Sequence, residues 1–104
     1  MKKIIKGKTY NTATAKKVAI YQNFRWVDIN DRYEENLYLK RTGEYFLYGI
    51  GGPYSKYSIR CKDGTIYGND VIIPLSKEEA KKWSQEYLST EKYEELFGTE
   101  KMEV

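Results

Sequence analysis

The stretch Tyr33–Tyr57, YEENLYLKRTGEYFLYGIGGPYSKY, sets the architecture. It reads as two strands joined by a tight turn, followed by a glycine-rich segment studded with tyrosines. A three-residue hairpin loop, Arg41-Thr42-Gly43, places its third residue in the left-handed region, and glycine takes that conformation without a Cβ clash. Lys40 then sits opposite Glu44, an opposite-charge pair worth about a few tenths of a kcal/mol. In the same register Leu39 faces Tyr45, Tyr38 faces Phe46 and Leu37 faces Leu47. A two-residue Thr-Gly loop is the rival register, and it puts Leu39 opposite Phe46. The first register gives a core face of Leu37, Leu39, Tyr45 and Leu47. The other face carries Tyr38, Phe46 and Tyr48 and is expected to stay wet. Gly49-Ile50-Gly51-Gly52-Pro53 cannot continue a central strand on sequence grounds, because glycine and proline weaken strand interiors. It reads as a wide turn, or as a recognition loop leading into Tyr54, Lys56, Tyr57 and Arg60. Tyrosine and arginine are common anchors at interfaces.

Working toward the N-terminus, Lys2 to Tyr10 forms a short hairpin about Lys6-Gly7-Lys8. Asn11 or Thr12 caps an expected helix to about Gln22, with Ala15, Val18, Ala19 and Gln22 along one stripe. Asn23 to Arg32 is a loop that Trp26 and Ile29 are expected to pin to the core. Toward the C-terminus, Tyr57 to Lys62 alternates as a third strand with Ile59 and Cys61 on one face, and Cys61 is expected to be a buried thiol. Val71-Ile72-Ile73 is a short strand closed by Pro74. Ser76-Lys77-Glu78-Glu79 is a capping box, with Leu75 stapling Ala80 and with Ala80, Trp83, Tyr87 and Leu88 on the buried face. Thr90 caps a second helix that Gly98 ends. The expected fold class is therefore α+β. A mainly antiparallel twisted sheet of four or five strands packs with one N-terminal helix and one or two C-terminal helices. It forms a single domain over residues 1–98, with 99–104 a frayed tail.

Composition narrows the function classes. The 104 residues include no histidine and one cysteine. That removes Ser-His and Cys-His nucleophile pairs and thiolate zinc sites. The adjacent carboxylates Glu34/Glu35, Glu78/Glu79 and Glu94/Glu95 diverge on strand or helix, so none is a natural acid–base dyad. No catalytic residue, metal or cofactor is expected. No apolar run is long enough for a membrane span, and no secretory leader is read at the start, which points to a cytoplasmic protein. The net charge of +3 hides a split: residues 1–62 hold 13 Lys/Arg against 5 Asp/Glu, and residues 63–104 hold 5 against 10.

Two binding modes follow. Tyr38, Tyr48, Tyr54, Lys56, Tyr57 and Arg60 are candidates for contacting a protein partner. Lys2, Lys3, Lys6, Lys8, Lys16, Lys17 and Arg25 are candidates for contacting nucleic acid. Lysines on an edge hairpin also block edge-to-edge pairing. Self-association into a homodimer through an exposed sheet edge is compatible with either mode.

Three segments together resemble a family of small proteins from phages, plasmids and other mobile elements of Gram-positive bacteria. They are KKIIKGKTYNTATAKKVA, LYLKRTGEYFLYGIGGPYSKY and VIIPLSKEEAKKWSQEY, and they cover most of residues 2–88. The most specific parts are Tyr45-Phe46-Leu47 with Gly49, Gly51 and Gly52, then Ser55-Lys56-Tyr57, and Ile72-Ile73-Pro74-Leu75-Ser76. The resemblance implies an anti-defence role of the anti-CRISPR type. Its partner would be a host defence protein such as a Cas effector subunit, bound inside the host bacterial cell.

Overall fold

The computed structural model describes residues 1–98, so the expected frayed tail lies outside the described residues. A four-stranded antiparallel sheet is built from β3 (Lys16–Gln22), β4 (Tyr33–Leu39), β5 (Tyr45–Gly51) and β8 (Asn69–Leu75), in the order β3-β4-β5-β8. The N-terminal hairpin β1 (Lys2–Ile5) and β2 (Lys8–Asn11) and the small hairpin β6 (Ile59–Arg60) and β7 (Ile66–Tyr67) pair separately. The helices α1 (Lys77–Tyr87) and α2 (Thr90–Phe97) are both C-terminal.

The central hairpin adopts the three-residue register. Leu39 pairs Tyr45, Tyr38 pairs Phe46 and Leu37 pairs Leu47. Gly43 takes φ +90°, and Lys40 Nζ lies 3.1 Å from Glu44 Oε1. One sheet face carries Ala19, Leu37, Tyr45 and Leu47 against Ala80 and Trp83, with Leu75, Tyr87, Leu88, Leu96 and Phe97 closing the layer. The capping box forms in full: Ser76 Oγ accepts from the Glu79 amide, and the Glu79 carboxylate accepts from the Ser76 amide. Ser89, rather than Thr90, caps α2 by accepting from the Lys92 amide, and Gly98 ends that helix at φ +71°.

The opposite face is a second core, not a wet surface. Tyr38 stacks on Phe46 at 5.1 Å between ring centres, and Tyr10 meets Phe46 edge-on at 5.5 Å. With Ile72 these rings are buried beneath the N-terminal hairpin. That hairpin turns at Lys6 (φ 51°) and Gly7 (φ +78°), the paired left-handed conformations of a tight two-residue turn.

The expected N-terminal helix is absent. Asn11 makes a turn instead: its side-chain oxygen accepts from the Ala13 amide and its carbonyl accepts from the Ala15 amide. The chain then enters β3. Val18-Ala19-Ile20-Tyr21 is richer in β-branched and aromatic residues than a helix favours. Ala19 and Tyr21 face the helices at period two, so the helical stripe was a coincidence of spacing. The strand expected over Tyr57–Lys62 shrinks to Ile59–Arg60 outside the main sheet, which leaves four strands. Pro74 does not close its strand but lies within β8, where an edge position tolerates the missing N–H.

Candidate functional site

Strands β4 and β5 meet the glycine-rich segment at the end of the sheet away from the 40–44 turn. The glycines do not break β5, which runs through Gly49 to Gly51. Gly49 lies inside it and Gly51 is its last residue, and they pair with Glu35 and Tyr33 on one side and with Val71 and Asn69 on the other. Their missing side chains leave space on the helix-facing side. A Cβ at Gly49 would lie 2.5 Å or less from the Tyr57 ring and hydroxyl, and one at Gly52 would lie 2.6 Å from the Asn30 carbonyl. The segment from Gly52 to Ser58 folds into that space and lays the Tyr57 ring on Gly49. Glycine in a strand interior here marks the close approach of another chain segment.

A buried carboxylate fixes the segment. Glu35 is 2% exposed and is held by three side chains, two from the 52–58 segment and one from α1. The Tyr57 hydroxyl donates to Oε2, Lys56 Nζ lies 2.9 Å from the same oxygen, and Trp83 Nε1–H donates to Oε1 at 2.9 Å. Lys56 Nζ also sits 4.9 Å from the Tyr33 ring centre and 5.6 Å from that of Tyr57, within cation–π range. Burial alone pushes the Glu35 carboxyl up. The hydrogen bonds from Tyr57, Trp83 and Lys56 outweigh it and hold the group below the ordinary 4.5. Burial works against the Lys56 ammonium, and the Glu35 bond overcomes it and raises its pKa. Burial and the Glu35 bond both push the Tyr57 phenol up. Every oxygen of Glu35 is engaged, so the cluster acts as a clasp between sheet, helix and loop. An open pocket lies beside it, lined in part by Lys82, Glu86 and Tyr87.

The clasped segment braces its neighbours. The Gly52 amide donates to the Arg32 carbonyl at 3.0 Å and the Tyr54 amide to the Asn30 carbonyl at 2.9 Å. Three excursions therefore share this end of the sheet: residues 23–32, residues 52–58 and the β6–β7 hairpin. Their apolar groups point outward. Trp26 is 92% exposed, Ile29 74% and Tyr54 65%, and Phe24, Ile50, Ile59 and Tyr67 are also exposed. Arg32 stacks on the Phe24 ring at 5.4 Å and Arg25 lies 5.8 Å from the Trp26 ring. Phe24, Ile29, Arg32 and Ile50 line a depression of about 320 Å³ between loop and sheet.

The candidates from sequence are thus divided. Tyr54 and Arg60 are exposed at this end, and Lys56 is half-exposed within the clasp. Tyr38 and Tyr57 are buried and serve the packing rather than the surface. Tyr48 is partly buried. Its hydroxyl donates to Asp70 at 2.8 Å, and burial followed by that bond raises its pKa to about 12. Trp26 and Ile29 do not pin their loop to the core, and Cys61 is exposed in the β6–β7 turn instead of buried. Sequence reasoning passed over Glu35, because a strand glutamate next to Glu34 looks solvated. It also passed over Phe24 and Trp26 as contact residues. Their one local signal was the run Phe24-Arg25-Trp26, with an arginine between two aromatics. Lys2, Lys3, Lys6, Lys8, Lys16 and Lys17 are exposed around the opposite end, and Arg25 belongs to the aromatic end.

Among the described residues no group of three His, Cys, Asp or Glu is placed to hold a metal ion, and no helix is long and apolar enough to cross a membrane. No protein-family model, curated protein or solved structure matches the chain.

Proposed function

We propose that this chain is a non-catalytic binding protein that inhibits a host defence protein by direct contact. The contact surface is the aromatic end of the sheet. One observation carries the reading: Trp26 is 92% exposed while held at φ 61°. A bulky residue in the left-handed region is strained by roughly 1–2 kcal/mol. An unfavourable backbone that holds a large apolar ring in water contributes nothing to folding, and it suits an anchor that a partner buries. Tryptophan, tyrosine and arginine dominate binding hot spots, and Trp26, Tyr54, Arg25 and Arg60 supply them here. The Glu35 clasp supports the reading by presenting Tyr54 and the 23–32 loop on a rigid base, which lowers the entropy lost on binding.

The sequence resemblance to mobile-element proteins gives the biological setting: an anti-defence factor of the anti-CRISPR type, with a Cas effector subunit as partner. The test is CRISPR interference against a targeted plasmid in a host expressing this protein or its Trp26→Ala variant. Interference should fall with the wild type and return with the variant. Interference unchanged by the wild type across host CRISPR systems would sink the proposal.

A further inference from the structure

We propose that the cleft between the N-terminal hairpin and the 40–44 turn binds the phosphate backbone of a nucleic acid. It lies at the opposite end of the sheet from Trp26, so it is independent of the aromatic surface. The cleft holds about 310 Å³, and its polar lining is Thr9, Asn11, Thr14, Lys40, Arg41 and Thr42. These side chains offer hydroxyls, an amide, an ammonium and a guanidinium, and no carboxylate lines the cleft. Arg41 is exposed at the turn, and its planar fork suits two phosphate oxygens.

The nearby acid is already satisfied. Glu44 lies 2.7 Å from Lys8 and 3.1 Å from Lys40, and the Thr42 hydroxyl donates to it at 3.0 Å. The bond from Lys8, then those from Lys40 and Thr42, depress its carboxyl to about 2. Two cations therefore share one anion, and the excess positive charge remains. No acid precedes Asp28 in the chain, whereas six lysines fall in the first 17 residues. Strand β2 lines the cleft at Thr9 and Asn11 and the turn into β3 lines it at Thr14 and Ala15, so the exposed Lys8 and Lys16 flank it in the chain and Lys8 reaches Glu44 of the 40–44 turn. The helices α1 and α2, of which α2 carries three glutamates against one lysine, pack on the other face of the sheet. Blocking of a sheet edge accounts for Lys17 on β3, which lies beside Leu88 and Lys92. It does not account for Arg41 converging with threonine hydroxyls. The lysines extend the positive surface well beyond the cleft, which favours a chain of phosphates over one small anion.

The test is fluorescence anisotropy of labelled single-stranded RNA and DNA of about 16 nucleotides over a salt series. The proteins compared are the full chain, Arg41→Ala and the double variant Lys6→Ala/Lys16→Ala, with urea midpoints recorded for each. Log K should fall linearly with log salt. Arg41→Ala should make the slope shallower by about 0.7 for each phosphate it no longer neutralises, and the lysine pair by about twice that, with midpoints unchanged. Absence of binding at about 50 mM salt overturns the proposal, as does an affinity and slope that neither variant alters. Full displacement of the oligonucleotide by inorganic phosphate, with the lysine pair silent, would mean a small-anion site and would also overturn it.

Discussion

Gly49→Ala adds one methyl group at the point where three elements converge. The new Cβ would lie 2.5 Å or less from Tyr57 ring atoms and from its hydroxyl, closer than real contacts allow. Gly49 is held between two strands, so the Tyr57 ring has to move. Moving it breaks the hydroxyl bond to Glu35, which is buried at 2% exposure. Overpacking costs about 1–3 kcal/mol, and losing a hydrogen bond to a charged group costs about 1.5–3 kcal/mol. Against these stands the gain of about 0.5–1 kcal/mol from removing a strand glycine. The net loss is therefore about 2–5 kcal/mol. With a urea slope of about 1.5 kcal/mol/M, the midpoint falls by about 1.5–3 M. A double-mutant cycle supplies the control. In a Tyr57→Ala background the ring is gone, and Gly49→Ala should be neutral or stabilising. A single variant as stable as the wild type would show that the Tyr57 ring does not need a glycine beneath it, as would equal losses in the two backgrounds.

Glu35 carries a pH signature. Its folded pKa lies below the ordinary 4.5, so its contribution to stability is present above about pH 4.5 and is lost as pH falls through the folded value. Urea midpoints measured from pH 7 down to pH 3 should drop, and Glu35→Gln should be less stable at neutral pH with a flatter acid limb. Glu44 should titrate at about 2, and Lys8→Ala should raise that value, as read by NMR of the carboxyl carbon. Trp83→Ala removes a buried ring and the donor to Glu35, so a loss of about 3–5 kcal/mol is expected in urea unfolding. Trp26→Ala should leave stability within about 0.5 kcal/mol or raise it, and iodide should quench Trp26 fluorescence while sparing Trp83.

The parts of the fold that local chemistry dictates were legible in the sequence. Gly43 and the Lys40–Glu44 pair set the hairpin register, and Ser76 with Glu79 marked the start of α1. Failures came where distant contacts decide. Ala15, Val18, Ala19 and Gln22 match a helical stripe, yet the free edge of β4 recruited the same residues at period two. Gly49 and Gly51 look like loop residues until the Tyr57 ring is seen lying on the strand. The candidate site was less legible than the fold. Trp26 and Ile29 were assigned to the core on hydrophobicity, and nothing local distinguishes an anchor buried in its own core from one offered to a partner. Tyr38 and Tyr57 failed in the reverse direction, because tyrosine suits both surface and interior. Glu35 needed three partners, 21, 22 and 48 positions away in the chain, to be recognised as buried.

The proposal that matters most is that the aromatic end of the sheet is a partner-binding surface. Its decisive check is titration calorimetry of purified Cas effectors from Gram-positive hosts with this protein and with its Trp26→Ala variant. We expect a stoichiometric complex with one such effector, weakened about 30-fold or more by Trp26→Ala, equivalent to about 2 kcal/mol, at an unchanged urea midpoint. Binding that Trp26→Ala leaves intact, or no effector bound by the wild type, would show that this surface is not the one a partner buries.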